Sequence, residues 1–248
     1  MLKDRVALIT GASRGIGAAT ARLLAANGAA VAVNYVTRRE AGEAVVRHIR
    51  DNGGRALLVQ ADVTVQSEVE QMVRAVEQEF GFIDTVVLNA NIHFPIVPFI
   101  AYRWEDFESK LDGELKAAFY CCQAVVPAMI AHRRGCIIAV SSGLSRHPGT
   151  GFVAHSTAKS ALDAFVKSLA HELGPDGIRV NTVAPGLTIT DATAGVPEQH
   201  KSAIAGMTPL RRIATPDDVA GAVLMLASEK TGFVTGTYVP VDGGMQML

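Results

Sequence analysis

The sequence predicts an α/β protein built on a doubly wound parallel sheet with helices on both faces. Three observations carry that reading. Runs rich in β-formers alternate with runs of helical periodicity along the whole chain. The β-rich runs are continuously apolar, as strands covered on both sides must be. The first of them enters a glycine-rich turn that opens a helix. At 248 residues, 49% of them hydrophobic, the chain is long enough to form a single domain over 1–248 with a well-buried core. A net charge of −1 gives no footprint for nucleic acid or an anionic membrane surface. The N-terminus runs directly into a strand, and the apolar stretch 86–100 is broken by Asn, His and Pro, so a cytoplasmic protein with no membrane association is expected. Cys121, Cys122 and Cys136 are odd in number and form no C-x-x-C pair, which points to buried, inert thiols rather than a disulfide framework or a metal site.

The first strand, 5–9, enters Thr10-Gly11-Ala12-Ser13-Arg14-Gly15-Ile16-Gly17, and an alanine-rich helix, 18–27, leaves it. Glycines at Gly11, Gly15 and Gly17 let the backbone turn sharply, approach a pyrophosphate and pack the helix on the strand. The helix start adds unpaired N–H groups and the positive end of its dipole. The second strand, 29–35, ends in Asn34 and Tyr35, followed by Arg38 and Arg39. NAD sites place an acidic residue near this point, which binds ribose hydroxyls and repels a 2′-phosphate. Its absence, with Arg14 and Arg38 as cations, favours NADP(H). The alternative is that Arg38 and Arg39 only solvate the start of the helix 40–51.

The third strand, 56–60, leads to Asp62 and Val63, with Asp62 in reach of an adenine amino group. Thr64 is expected to cap a helix ending at Phe80. The fourth strand, 84–88, closes in Asn89, Ala90 and Asn91. A long helix, 104–132, carries Pro127 near its end, and the fifth strand, 136–140, delivers Ser141 and Ser142. Beyond a turn-rich link, a helix opens at His155 with an apolar stripe of Leu162, Phe165, Val166, Leu169 and Leu173. His155 and Lys159 stand one turn apart on one of its faces. The sixth strand, 179–183, runs into Ala184-Pro185-Gly186. Residues 188–207 are polar and rich in small side chains, and read as an irregular, flexible flap over a substrate. Pro216-Asp217-Asp218 starts the last helix, and 236–244 supplies a final strand and tail. In such a sheet, ligands bind at the carboxyl ends of the strands.

Taken together, Thr10 to Gly17, the Asn89-Ala90 turn, Ser142, Lys159, Pro185-Gly186, Thr190 and Pro240-Val241-Asp242-Gly243-Gly244 resemble the short-chain dehydrogenase/reductase family over nearly the whole chain. Within it, the chain is most similar to the bacterial 3-oxoacyl-(acyl-carrier-protein) reductases. The resemblance implies a Rossmann-type sheet of about seven strands, a homotetramer, and a nicotinamide cofactor. It implies that Gly11, Ser13, Arg14, Gly15, Ile16 and Gly17 meet the pyrophosphate with Thr190, while Asn34, Tyr35 and Arg38 lie at the cofactor's distal ribose. It places Asp62 and Val63 at the adenine, Asn89, Ala90 and Asn91 at the ribose region, Lys159 at the nicotinamide ribose, and Pro185, Gly186 and Thr188 along the cofactor.

The family's chemistry uses an Asn-Ser-Tyr-Lys set. Here Ser142 and Lys159 match, His155 stands four residues before Lys159 where the family has Tyr, and Glu114 falls where it has Asn. The candidate catalytic set is therefore Glu114, Ser142, His155 and Lys159. Proton delivery by His155 needs the imidazolium, whose ordinary pKa is roughly 6.5. Lys159 opposes that charge, and Glu114 is expected to favour it and to pair with Lys159. His93 and His147 are further candidates for a substitute acid. The set points to NADP(H)-dependent reduction of a carbonyl on an acyl or polyketide-type substrate, small or carrier-bound. Two alternatives remain: a non-redox proton transfer (dehydration, isomerisation or cyclisation) and a nucleotide-binding partner without turnover. Arg133-Arg134 lies where the relatives carry basic residues for an acyl carrier protein, but Asp176 occupies the second basic position of that patch.

Overall fold

The computed structural model describes residues 1–246. Strands β1 (Val6–Ile9), β2 (Ala30–Tyr35), β3 (Arg55–Gln60), β4 (Thr85–Leu88), β5 (Gly135–Val140), β6 (Ile178–Pro185) and β7 (Tyr238–Val241) form one sheet. Their order is β3-β2-β1-β4-β5-β6-β7, and every pair is parallel. Side chains alternate across the sheet. Val6 and Leu8 of β1 join one buried cluster, with Val69, Met72, Val125 and Leu162; Ala7 and Ile9 join the other, with Leu24, Val45 and Val223. Helices α3 (Gln66–Phe80), α4 (Trp104–His132) and α5 (Val153–Leu173) cover the first face, and α1 (Gly15–Ala26), α2 (Arg39–Asp51) and α7 (Pro216–Ala227) the second. Each fully buried Leu or Ile of these clusters contributes about 1.5–3 kcal/mol. Strand order reverses between β1 and β4, so the crevice at their carboxyl ends is the switch point at which such sheets hold ligands.

The predicted apolar stripe of α5 does pack inward, with Leu162, Val166 and Leu173 buried and Phe165 and Leu169 partly so. All three cysteines are buried and free, and burial pushes the Cys121 and Cys136 thiols up to about 12 and about 11. By length and composition α4 could cross a membrane, but it lies against α3, α5 and β5 with Lys110 and Glu114 inside.

Two expectations are corrected. Thr64 is no helix cap: its hydroxyl donates to Asp62 Oδ1 (2.7 Å), which also accepts from Thr64 N (2.9 Å). That local turn removes the hydroxyl from the helix, Val65 takes the N-cap, and Glu68 reaches back to Asp62 N (2.7 Å). The stretch 188–207 is not irregular throughout either. Thr188 pairs with Ala214 in a β-bridge, 191–193 is a 3-10 turn, and α6 (Glu198–Met207) fills the second half, where Glu198, Gln199 and Lys201 after Pro197 favour a helix.

Candidate active site

The glycine turn is laced to the end of β4. The Thr10 hydroxyl accepts from Asn89 N (2.9 Å) and Ala90 N (3.0 Å), and Asn89 Nδ2 donates to the carbonyls of Thr10 (2.8 Å) and Gly11 (3.1 Å). A Cβ on Gly17 would stand 2.5 Å from Asn89 Nδ2 and 2.7 Å from the Gly11 carbonyl; one on Gly11 (φ +60°) would stand 3.0 Å from Ala90 Cα. These two glycines are therefore required by the approach of the β4 turn, before any ligand is considered. A Cβ on Gly15 (φ +53°) would stand 3.4 Å from Thr190 Cγ2, and Arg14 lies 3.9 Å from Asp191, so the flap's base sits beside the turn.

The start of α1 is left open. Arg14 is its N-cap without a capping side-chain bond, the first turn holds no acid, and the N–H groups of Gly15, Ile16 and Gly17 find no acceptor among the described residues. An uncapped helix start next to a guanidinium fits the diphosphate of a dinucleotide.

At the end of β2 the structure departs from expectation. Asn34 is fully buried: its Oδ1 accepts from Gly11 N (3.0 Å) and its Nδ2 donates to the Ala61 carbonyl (2.9 Å). Tyr35 is buried as well, with its hydroxyl 3.4 Å from Gln60 Oε1. Because β2 is covered on both faces to its last residue, neither side chain is free for a ribose or phosphate, and Asn34 acts on a ligand only by holding Gly11. Arg39 pairs with Glu43 (2.8 Å), whereas Arg38 is exposed and has no ion pair among the described residues. Other expected cofactor residues are likewise engaged. Val63 packs in the core, Asn91 Oδ1 accepts from Lys110 (2.8 Å), Gly186 N donates to the Val241 carbonyl (3.1 Å), and the Thr188 hydroxyl donates to the Gly186 carbonyl (3.1 Å). Pro185 closes β6.

Below the crevice, α4 and α5 bring three charged side chains together. Lys159 Nζ donates to Glu114 Oε1 and to the Val140 carbonyl (2.7 Å). Lys110 Nζ donates to Glu114 Oε2 (2.5 Å), Asn91 Oδ1 (2.8 Å) and the Ile92 carbonyl (3.1 Å). All three are buried, Lys110 completely. Burial opposes the Glu114 charge, but Lys159 and Lys110 outweigh it and hold the carboxyl below its ordinary range. Burial also draws the Lys110 ammonium down to about 8, against the pull of Glu114. Sequence reasoning missed Lys110; the signal was its i,i+4 spacing from Glu114.

His155 lies in the first turn of α5, stacked on Phe94 (centroids 4.7 Å apart, planes at 20°) and edge-on to Phe152 (6.4 Å). Its Nδ1 is buried without a partner, which leaves Nε2 as the nitrogen open to a ligand. Burial first, then Lys159 and Lys110, outweigh Glu114 and push the imidazole down to about 3. Glu114 does favour the imidazolium, as expected, but its carboxylate is shared between two ammonium groups and is outweighed. Ser142 Oγ accepts from Leu144 N (3.2 Å), which leaves its hydroxyl hydrogen free, and the Ser142 carbonyl accepts from the Tyr238 hydroxyl (3.1 Å). Among the described residues, no hydrogen bond joins His155 to Ser142, Lys159 or Glu114. His93 and His147 are exposed. In the outer basic patch, Arg133 lies 3.6 Å from Asp176 and Arg134 lies 3.7 Å from buried Asp84, so both cations have acidic neighbours.

Residues 11–246 match the protein family described as enoyl-(acyl carrier protein) reductase. The chain is 39% identical over 247 residues to a 3-oxoacyl-(acyl-carrier-protein) reductase of Synechocystis sp., covering 99% of this chain and 98% of the relative. Identity to the 3-oxoacyl-(acyl-carrier-protein) reductase FabG of Staphylococcus epidermidis is 36% over 244 residues, 98% of this chain and all of that protein. Identity to a cis-4-hydroxycyclohexanecarboxylate dehydrogenase of Sinomonas cyclohexanicum is 38% over 241 residues, covering 97% and 96%.

Proposed function

Because the chain belongs to the short-chain dehydrogenase/reductase family, we propose that it is an NADP(H)-dependent oxidoreductase that reduces the carbonyl of an acyl-type substrate. The observation that carries this reading is end-to-end similarity to 3-oxoacyl-(acyl-carrier-protein) reductases combined with an uncapped helix start at the switch point. When bound, the nicotinamide supplies hydride to the carbonyl carbon. The helix start and Arg14 hold the diphosphate, and Arg38 meets the 2′-phosphate.

His155 acts here as a neutral imidazole. A ring held near 3 supplies almost no imidazolium at pH 7, but its N–H still donates a hydrogen bond to the substrate oxygen and stabilises the negative charge that grows there. Ser142 adds a second donor through its free hydroxyl hydrogen. The alkoxide left by hydride transfer takes its proton from a water, whose hydroxide passes to bulk solvent, while His155 keeps its N–H. Lys159, with two of its three N–H groups committed, keeps one for a ligand. The acidic neighbours of Arg133 and Arg134 reduce the charge available to a carrier protein, which favours a freely diffusing acyl substrate over a docked one. The relative named for cis-4-hydroxycyclohexanecarboxylate is as similar overall as those named for carrier-bound substrates, in keeping with that choice.

The depressed imidazole also supports a second reading, a nucleotide-holding partner without turnover. NADPH consumption with a β-keto thioester, followed by mass spectrometry of the product, separates the two. Reduction adds two hydrogens, and the His155→Ala variant is slower. NADPH binding without consumption supports the second reading and overturns the first.

A further inference from the structure

We infer that Lys110 is a positioning residue of this site: one buried ammonium fixes Glu114 opposite Lys159 and also tethers the Asn91–Phe94 segment that lies against His155. Lysine is almost never fully buried unless paired, and Lys110 is completely so. Its three N–H groups meet three oxygens: Glu114 Oε2 at 2.5 Å, Asn91 Oδ1 at 2.8 Å and the Ile92 carbonyl at 3.1 Å. The ammonium also sits 5.1 Å from the centroid of the Phe94 ring, on which the His155 imidazole is stacked. A neighbouring position points the same way. Gly113 lies one residue before Glu114, and a Cβ there would stand 3.1 Å from Ile92 Cγ1, so the helix has a small residue where the segment settles on it.

One group therefore joins two things the chemistry needs. Through Glu114 it sets the partner of Lys159. Through Asn91, Ile92 and Phe94 it sets the cover on the imidazole. The charge balance follows. Two ammonium groups share one carboxylate, which leaves a net positive charge beside His155. The ionised groups that act on the ring are Lys159 from its own helix and Lys110 and Glu114 from α4; Phe94 and Phe152 face it from the adjoining segments. Without Lys110 the remaining pair is neutral, and the imidazole takes up a proton more readily. The inference rests on the reading of His155 as the group that faces the substrate oxygen. Its test reads the ring itself, and so stands apart from whether any carbonyl is reduced.

The test is an NMR pH titration of the His155 side chain in the full chain, with backbone 15N relaxation over residues 91–94 and the pH profile of kcat/KM alongside. In the wild type the midpoint lies near 3, well below the ordinary imidazole value. In Lys110→Met its midpoint rises by about one pH unit or more, and the backbone order parameters over 91–94 fall below about 0.6. Lys110→Gln removes the charge and keeps N–H donors, so the midpoint rises while the order parameters over 91–94 hold. Lys110→Arg restores the wild-type midpoint. If turnover is present, the acidic limb of kcat/KM moves with the NMR midpoint. An unchanged midpoint in both the Met and Gln variants, with the fold intact by circular dichroism, overturns the inference; if Met does not fold, Gln alone decides it. Absence of turnover with the midpoint shifted refutes the reductase reading and leaves the Lys110 assignment in place.

Discussion

Replacing His155 by Phe should make the protein less sensitive to acid, by an amount that follows from the site. Burial and two ammonium groups hold the imidazole near 3, against an ordinary 6.5. The folded value lies below the unfolded one, so on acidification the unfolded chain takes up the proton first. The stability associated with the neutral ring is complete above about pH 6.5 and is lost as the pH falls towards 3. At about 1.36 kcal/mol per pH unit, going from pH 7 to pH 4.5 destabilises the fold by about 2.5 kcal/mol through this one ring. Phenylalanine is close in shape and joins an aromatic cluster already formed by Phe94 and Phe152. Urea denaturation of both proteins at the two pH values measures the difference, and the other titrating groups cancel between them. The wild type should lose about 2.5 kcal/mol more than His155→Phe. Parallel losses, within about 0.5 kcal/mol, would show that the ring titrates as an ordinary histidine and would remove the case for a neutral donor.

Gly17→Ala drives a methyl to within 2.5 Å of Asn89 Nδ2 and 2.7 Å of the Gly11 carbonyl, and should cost about 1–3 kcal/mol, seen as a lowered Tm, together with weaker NADPH binding by fluorescence titration. Asn34→Ala leaves Gly11 N–H and the Ala61 carbonyl unpaired in the interior; denaturant titration should show a loss of about 1–3 kcal/mol, and a neutral result would mean that these bonds do not set the turn. Arg38→Glu should weaken NADPH binding by about tenfold or more while leaving NADH little changed, and an unaltered NADPH to NADH affinity ratio would exclude Arg38 from the 2′-phosphate site.

The fold was legible because its signals are periodic and repeated. Apolar runs such as Val31–Val33 and Ile137–Ala139 are buried on both faces of the sheet, and the stripe from Leu162 to Leu173 could pack only one way. Strand and helix ends shifted by one to three residues, as at α1, which starts at Gly15 because the turn closes directly into it. The site was harder to read where a polar residue had two uses. Asn34 and Asn89 stand where a cofactor is expected, but both are committed to the glycine turn, and nothing in the residue type separates a carbonyl partner from a ribose partner. Thr64 had the right type for a cap and the wrong neighbour, since Asp62 takes its hydroxyl. Lys110 does not stand out in the sequence because a lysine in a long helix is ordinarily a solvated one; its role comes from the packing of α4 against the Asn91–Phe94 segment.

The bonds between Thr10 and the Asn89-Ala90 turn join residues 79 and 80 positions apart in the chain. A peptide ending short of Asn89 would hold all three glycines and Asn34 but not the Asn89-Ala90 groups that tie the turn to β4, so the motif is not a portable nucleotide-binding module. During synthesis, affinity for the dinucleotide should emerge only after β4 has left the ribosome and docked beside β1, and it should emerge abruptly, because one long-range pairing closes the loop and positions the helix start together.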